Sequence, residues 1–377
     1  MAVTDNILID ARHLARNHIV AQVNAGLLSD CIYRVYKDDA LLFQGAVSTL
    51  PDKYVTVDLS VLFGSLKAEA GVAKCRIAFV EDETHDDLTT EKNFIVYGGG
   101  ISKMLQRKLA NAGTDIFSAK LKNVNKNFFL TSRTSGRYIT VPEDELLPLS
   151  FYAKGLSFVV KADGEVIATM DHSGDADESV NSVDFSALRK QLFLASGKLL
   201  SVFDVLTQTG GYSCSLIITE VTEKHNFFLK FINAWGVWEK ISIENIIQFT
   251  PELDTPEGYM QWDGLINDFV NVPVRKTMTP VYSADMGYKT PAERLFILDA
   301  LMSDNCRLVA YGDEFNVKIS ADATTLQSTD PALVSVNIKL QLLDGDSNFS
   351  HYLLSGDTLL ATRDNELIID NNFKIGI

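Results

Sequence analysis

The residues best suited to acid–base chemistry near neutral pH are six histidines: His13, His18, His85, His172, His225 and His351. None stands in the HExxH or HxH spacing that predicts a metal site, and no GxSxG motif predicts a nucleophilic serine. The members of a Ser-His-Asp triad or a glycosidase carboxylate pair can come from distant positions, so one sequence leaves both open. Because no motif favours either, we predict no catalytic residues and a protein that is not an enzyme.

The candidate metal ligands are also dispersed. The four cysteines lie far apart, without CxxC or Cys/His spacing, which predicts free and mostly buried thiols of a reducing compartment: Cys31, Cys75, Cys214 and Cys306. The acidic segment 171–178 offers carboxylates to Ca²⁺, but its spacing differs from an EF-hand loop, in which glycine occupies position six. We therefore expect a solvated loop there, and neither a metal nor a cofactor.

Three consecutive glycines, Gly98 to Gly100, could form a phosphate-binding loop. They lack both the GK[ST] ending of a P-loop and the GxGxxG spacing of dinucleotide-binding folds. We predict a flexible joint instead, followed by a short helix in ISKMLQRKLANAG that ends before Gly113.

The segment FFLKFINAWGVWEKISI, residues 227–243, is the most distinctive aromatic and apolar run. Its residues alternate along two extended stretches, and Gly236 between them can adopt the left-handed conformation of a turn. A membrane-spanning helix would need about 20 apolar residues, whereas this run contains Lys230, Glu239 and Lys240. We therefore predict a structural hairpin whose apolar face packs in a core or against a neighbouring subunit, with a ligand pocket as the alternative. The residues assigned to this core or interface are Phe231, Trp235 and Trp238.

The chain carries a formal net charge of −15. Such a charge repels nucleic-acid phosphates and disfavours specific binding of DNA or RNA.

Arg133 and Arg137 flank a predicted turn, where they could contact an acidic neighbouring subunit; an exposed hairpin tip is the alternative. No basic segment precedes an apolar run near residue 1, so we expect neither a secretory signal nor a membrane-spanning segment.

The elements that would position these residues are mostly strands. Alternating apolar patterns over residues 1–97 predict a β-sandwich-like domain with a turn at 37–39. Residues 98–250 predict a β-rich central domain that contains a strand FFLTSR, a turn at Asp163-Gly164 and the aromatic hairpin. Residues 251–377 predict a β-α-β-β domain with C-terminal strands, entered through a linker or loop with the sequence PELDTPEGYMQWDG.

The helix of the last domain is predicted in PAERLFILDALMS. It should begin at Pro291, with Thr290 as its N-cap and Glu293 in its first turn. Its expected buried stripe consists of Leu295, Leu298, Leu301 and Met302.

Four segments combine into a recognisable pattern: YGGGISKMLQRKLANAGTDIFSAKL, NFFLTSRTSGRYITVPEDELLPLSFYA, LKFINAWGVWEKISI and VYSADMGYKTPAERLFILDALMSDNCRLV. Together they resemble one family, the uncharacterised virion proteins of tailed phages and prophages of Bacteroides-type bacteria. The resemblance covers roughly residues 90–345. Its most specific element is the family pattern L-x-W-L-N-x-x-G-x-W, in which Phe231 replaces the first tryptophan.

This resemblance implies a structural and non-catalytic role in a tail or baseplate, as a distal-tail-like ring subunit that assembles by head-to-tail contacts. The implied partners are further copies of the chain in a ring, with a hexamer as one arrangement, and other phage tail or neck proteins. DNA would pass through a channel without specific binding, and no membrane would be involved. The implied location is the virion tail, after assembly in the cytoplasm of the bacterial host.

Patterns and resemblance together predict a mainly β fold with a few short helices. An N-terminal β-sandwich-like domain would be followed by β-barrel or β-α-β-β domains like those of tail proteins. The alternative function is a carbohydrate-binding module of a phage or bacterial surface protein, in which Trp235, Trp238 and Trp262 could stack on sugar rings. Such stacking requires exposed rings, whereas the first two lie in a run that should be buried.

Overall fold

The computed structural model describes residues 7–24, 30–48, 54–64, 71–80, 90–113, 116–117, 127–133, 137–175, 177–207, 211–222, 225–250, 252–254, 258–272, 277–310, 313–321, 334–343, 359–361 and 367–369. Within these ranges the chain is mainly β, with several sandwich-like sheets and three short α-helices, which confirms the predicted fold class. No helix in the described part of the chain is long and apolar enough to cross a bilayer.

The N-terminal region, residues 7–97, packs a five-stranded sheet against a strand pair. Its strands are β1 (Arg12–Leu14), β2 (Val20–Asn24), β3 (Asp30–Lys37), β4 (Ala40–Ser48), β5 (Tyr54–Asp58), β6 (Val72–Val80) and β7 (Thr90–Tyr97). The sheet has the order β1-β7-β6-β3-β4, and β2 pairs with β5. The predicted turn joins β3 to β4, where Asp38 and Asp39 adopt φ angles of 49° and 65°.

Helix α1 (Lys103–Asn111) precedes the middle region, residues 127–222. The elements of the middle region are β8 (Tyr138–Pro142), β9 (Leu149–Tyr152), β10 (Ser157–Ala162), β11 (Glu165–Asp171), β12 (Val180–Val183), α2 (Phe185–Ser196), β13 (Val202–Thr207) and β14 (Tyr212–Thr219). One sheet has the order β11-β10-β13-β14-β8, and β9 pairs with β12. The predicted Asp163-Gly164 turn joins β10 to β11, with both residues at positive φ.

The predicted strand FFLTSR is wrong, because residues 127–133 form no strand. Phe128 and Phe129 are both buried in the core of the middle region, with ring centroids 4.7 Å apart. A regular strand would direct successive side chains to opposite faces. The side-chain oxygen of Asn127 instead accepts a hydrogen bond of 2.9 Å from the backbone N–H of Phe129, in an irregular turn that buries both rings.

The third region, residues 225–343, contains a curled seven-stranded sheet. Its elements are β15 (Phe227–Ile232), β16 (Trp238–Ile243), β17 (Asn245–Phe249), β18 (Glu252–Asp254), β19 (Tyr259–Asp263), β20 (Asp268–Val272), β21 (Thr277–Thr279), β22 (Val281–Lys289), α3 (Pro291–Leu301), β23 (Cys306–Ala310), β24 (Asp313–Ser320) and β25 (Val334–Leu342). The sheet order is β16-β15-β23-β24-β25-β22-β17. Only Glu244 separates the two edge strands, so the sheet curls back on itself like a barrel. A last pair, β26 (Leu359–Ala361) and β27 (Leu367–Ile369), follows.

The aromatic hairpin, β15–β16, belongs to this third sheet, which corrects its assignment to a central domain spanning residues 98–250. Strand β15 pairs antiparallel with β23, from Phe227 opposite Ala310 to Phe231 opposite Cys306. This pairing joins positions more than seventy residues apart along the chain, so local periodicity could not reveal it. The sheets therefore divide near residue 225 rather than at residue 250.

Helix α3 begins as predicted and buries a different face. Thr290 and Glu293 form a complete capping box ahead of the helix. The buried positions are Arg294, Phe296, Ile297 and Ala300, whereas Leu295, Leu298 and Met302 of the predicted stripe are exposed. Residues 295–298 are all apolar, so the helical period fits more than one face, and the packing against the sheet selects among them.

The interpretation of PELDTPEGYMQWDG as a linker or loop is wrong for its described residues. Strand β18 pairs with β21, and β19 pairs with β20 over five residue pairs. Both faces of the β19–β20 hairpin are largely exposed, so its strands show little of the apolar–polar alternation by which a half-buried strand is recognised. This hairpin, residues 259–272, is called the arm below.

Candidate functional site

The turn of the aromatic hairpin, residues 233–237, lies where all three regions meet. Asn233 is fully buried, and its side-chain oxygen accepts hydrogen bonds from the backbone N–H groups of Trp235 and Val237 at 2.9 and 3.1 Å. Its amide nitrogen donates to the carbonyl oxygen of Leu130 in the middle region at 2.9 Å. Gly236 completes the turn at a φ of 80°. One asparagine thus shapes the turn and connects it to a second region.

The triple-glycine segment approaches this turn closely, which corrects its interpretation as a flexible joint. The backbone N–H of Gly100 donates to the carbonyl oxygen of Ala234 at 2.6 Å. Gly99 has a φ of +88°, and a Cβ added to it would lie 2.4 Å from the same oxygen. Only glycine fits such a position without displacing the turn. The glycines therefore allow two backbones to pack together.

Apolar side chains from the three regions surround the turn in one cluster. Its buried members are Leu14, Tyr97, Phe117, Leu130, Tyr152 and Val237, and Trp235 packs against them. The rings of Tyr97 and Tyr152 connect the N-terminal and middle regions edge to face, with centroids 4.8 Å apart. This cluster is called the junction. Trp235 thus packs between parts of one chain, and its contact with a neighbouring subunit stays a prediction.

Arg133 is also part of a contact within the chain. Only 11% of its side chain is exposed, so the exposed-tip alternative is wrong for this residue. Its guanidinium lies 2.5 Å from a carboxylate oxygen of Glu145, 3.7 Å from one of Glu239, and 4.0 Å above the ring of Phe296. It also donates to the carbonyl oxygen of Lys240. Arg133 thereby joins the middle region to the aromatic hairpin and α3.

The two carboxylates beside Arg133 have different electrostatic surroundings. Burial raises the pKa of Glu239 to about 7, although Arg133 and a hydrogen bond from Asn233 favour its ionised form. Burial acts on Glu145 in the same direction, but Arg133 and two hydrogen bonds from Ser242 outweigh it and lower the pKa of Glu145. The cluster therefore contains one firmly ionised carboxylate and one that titrates near neutral pH.

Phe231 and Trp238 occupy opposite faces of the hairpin. Phe231 is fully buried and packs edge to face on Phe296, with ring centroids 5.2 Å apart, as expected for a core residue. Trp238 is half-buried, with the cations of Lys230 and Arg307 at 5.2 and 4.8 Å from its ring. It borders a cleft of about 430 Å³ that is also lined by Pro148, Ser150 and Ser182. Trp238 therefore keeps a partly open face.

Arg137 is not part of this arrangement. It is exposed at the start of β8, and its carbonyl oxygen accepts a hydrogen bond of 2.9 Å from the backbone N–H of Ser215. The structure thus brings Phe231, Trp235, Trp238 and Arg133 together around the hairpin and leaves Arg137 apart. Residues 134–136, the tip between the two arginines, lie outside the described residues.

The acidic segment 171–178 contacts the N-terminal region. Glu178 pairs with Arg12 at 3.2 Å, and Asp177 pairs with Lys74. In the part of the chain that the structure describes, no group of three or more His, Cys, Asp or Glu residues is arranged to bind a metal. The four cysteines are buried thiols that form no disulfide bond, as predicted.

The arm is the principal exposed apolar feature of the third region. Trp262 is 50% exposed and meets the ring of Phe269 edge to face at 5.1 Å. Leu265 at the tip is 96% exposed, and Tyr259, Met260 and Ile266 are exposed as well. Exposed apolar residues that cluster in this way mark a site of contact with another molecule. The sequence interpretation missed this surface, although Asp263-Gly264 between two apolar segments was a turn signal.

Glu145 and Glu239 were missed as well. Nothing in the spacing of Glu145 distinguishes it from surface carboxylates. Glu239 does alternate with Ile241 and Ile243 on the apolar face of β16, and this position was the signal that it would be buried.

No protein-family model matches this chain, and a comparison with curated proteins found no match. Among solved structures, the chain is similar to SGBP-B of the Bacteroides ovatus mixed-linkage glucan utilization locus in complex with a mixed-linkage heptasaccharide, at 10% identity and a TM-score of 0.16. The match covers 75% of this chain and 61% of that one, so this chain spans less than two thirds of its length. Extracellular domains 3–5 of Drosophila OTK match at 11% identity and a TM-score of 0.20, over 75% of this chain and 92% of that one. Similarities at these TM-scores carry no inference about function.

Proposed function

We propose that this chain is a non-enzymatic structural component of a tailed-phage virion, a tail or baseplate ring subunit that assembles by head-to-tail contacts. The observation that carries the proposal is the arm, an exposed apolar hairpin on a chain whose other hairpin of this type is buried at the junction. An apolar surface of this kind is typical of a protein–protein contact.

The junction supports the same role. A ring subunit must keep its contact surfaces in a constant relative orientation, because a small change in angle prevents closure of the ring. The fully buried Asn233, the Gly99 approach and the Arg133 cluster all join different regions of the chain. Several buried contacts between the regions disfavour hinge motion between them.

The proposed partners are further copies of the chain, in a hexamer or another closed ring, and other tail or neck proteins. The net charge of −15 would let DNA pass through a central channel without specific binding. The proposed location is the virion tail, after assembly in the cytoplasm of the host.

Light scattering at several protein concentrations, combined with negative-stain electron microscopy, tests this proposal. We expect closed rings, or a mass that reaches a fixed multiple of the monomer as concentration rises. A mass that stays at the monomer value at every concentration, both alone and with co-expressed tail proteins, would exclude the ring subunit. Trp262→Ala should weaken assembly without lowering the melting temperature, because its ring is half exposed.

A carbohydrate-binding module is the second candidate, and the exposure of Trp262 favours it. Its ring and that of Phe269 present aromatic surface to solvent, as stacking on a sugar requires. Screening of wild type and Trp262→Ala on a glycan array separates the two functions. Glycan binding that is lost in the variant, with a monomeric wild type, would replace the ring-subunit proposal.

A further inference from the structure

Helix α1 is an exposed element with a strongly basic and apolar composition. It contains Lys103, Arg107 and Lys108 and no acidic residue. None of its nine residues is buried, and Met104 is 81% exposed. The Ser102 hydroxyl caps it by accepting the backbone N–H of Leu105 at 3.2 Å. Helices shorter than about 12 residues are marginal in water unless an apolar face is packed, so α1 lacks the packing that would stabilise it.

The arm is acidic, whereas α1 is basic, and the arm also lacks packing that would stabilise it. Residues 259–272 contain Asp263 and Asp268 and no basic residue. The Asp263 carboxylate accepts the backbone N–H of Leu265 at 2.8 Å, which places the acid beside the exposed apolar tip. An isolated two-stranded hairpin is marginally stable in water. The arm therefore also needs a partner surface.

The arm and α1 carry opposite charges, and both expose apolar side chains that could pack together. Both are exposed in the same chain, so they do not cover each other within one copy. A cleft of about 590 Å³ runs along α1, lined by Gln106 and Leu109 on the helix side and by Phe117 and His13 opposite. This cleft offers space beside the helix for apolar side chains such as Leu265 and Ile266.

We propose that the arm of one copy docks on α1 of a second copy, with Asp263 and Asp268 facing the basic residues of the helix. This inference rests on the proposed function and names the two surfaces of its head-to-tail contact. Copies with a net charge of −15 repel one another, so a contact between them needs local charge compensation. Helix α1 provides it with three basic residues. Because the two surfaces differ, the contact is heterologous and can propagate around a ring.

Two charge-reversed variants test this pairing. One carries Asp263→Lys with Asp268→Lys, and the other carries Lys103→Glu, Arg107→Glu and Lys108→Glu. Each variant has like charges on both surfaces, so we expect self-association to weaken about tenfold or more. An equimolar mixture restores opposite charges at every contact between unlike copies, and we expect it to assemble again. A variant with Lys190→Glu on α2 and Lys198→Glu just after that helix, both at exposed positions, is the control and should assemble like wild type.

Sedimentation velocity gives the mass of each sample, and circular dichroism checks that each variant is folded. If the lysine substitutions unfold the arm, a variant with Asp263→Asn and Asp268→Asn takes their place, since its amide oxygens still accept the turn hydrogen bonds. This asparagine variant must also weaken self-association. If wild type assembles and either charge-reversed variant assembles equally well, this pairing is overturned and the ring proposal remains intact. Variants that stay monomeric when mixed would overturn it too. A wild type that is monomeric at every concentration, alone and with the tail proteins, would overturn both.

Discussion

The two aromatic hairpins of the third region have similar compositions and opposite environments. The β15–β16 hairpin has its inner face in the core and its turn in the junction, and Trp235 and Trp238 are both partly buried. The β19–β20 arm has apolar side chains exposed on both faces. The first hairpin is paired along β15 with β23, whereas the arm pairs only with itself in the sheets described.

This difference shows that apolar content by itself does not determine burial. A strand pair becomes part of a core when a further strand continues its sheet and a second layer covers one face. For β15–β16 these are β23 and helix α3, which supplies Phe296. The arm has neither, so its apolar surface remains for a partner.

The strongest test of the comparison replaces one phenylalanine in each hairpin. Phe231→Ala should lower the free energy of unfolding by about 3–5 kcal/mol, because it leaves a cavity in the core. Phe269→Ala should change it by no more than about 0.5 kcal/mol, because 55% of that residue is exposed. Urea denaturation of both variants gives the two values, and equal losses would contradict the contrast between the hairpins.

Removal of the Arg133 side chain tests whether the first hairpin depends on the middle region. Arg133→Ala leaves Glu145 and Glu239 buried without their cation and should cost about 3–5 kcal/mol. Arg137→Ala, an exposed arginine of the same segment, is the matched control and should leave the melting temperature near that of wild type. Similar melting temperatures for the two variants would argue against a buried charge cluster.

A smaller effect is expected from the close approach at Gly99. Gly99 and Gly164 have nearly equal φ angles of +88° and +82°, but a Cβ would clash only at Gly99, since nothing lies within 4 Å of it at Gly164. Gly99→Ala should therefore cost about 1–3 kcal/mol more than Gly164→Ala. Thermal unfolding of both variants isolates the contact from the backbone strain that they share, and equal costs would show that the glycine segment does not pack on the turn.

The effect that is smallest over any single pH unit is a pH dependence due to Glu239. Its pKa is about 7 in the folded chain and 4.5 ordinarily, so the folded state binds more protons between these values. Stability from this group therefore falls as pH rises from about 4.5 to about 7, by up to about 1.4 kcal/mol per pH unit, and is constant above. Glu145, with a lowered pKa, contributes stability that is lost only as pH falls below 4.5.

Glu239→Gln should remove the slope between these pH values, and its amide oxygen can still accept the hydrogen bond from Asn233. The wild-type and variant free energies of unfolding are measured by urea titration at several pH values, and their difference is taken. The lowered pKa of His13 acts in the opposite direction over part of this range, but it is common to both chains and cancels. A difference that does not change with pH would contradict the raised pKa.

Local sequence determined much of the fold. The Asp-Asp and Asp-Gly turns, the N-cap at Thr290, the alternation of residues 227–243 and the predominance of strands are all encoded within a few neighbouring residues. Backbone sterics and side-chain-to-backbone hydrogen bonds act over that range, and the structure confirms each of these predictions.

Only the tertiary structure decided which sheet receives the aromatic hairpin, which face α3 buries, and which residues lie in the junction. The roles of Arg133, Glu239 and Gly99 come from residues distant in sequence that pack on them. Strand pairing across more than seventy residues and the desolvation of a carboxylate depend on the whole surrounding structure. Periodicity along the chain does not carry that information.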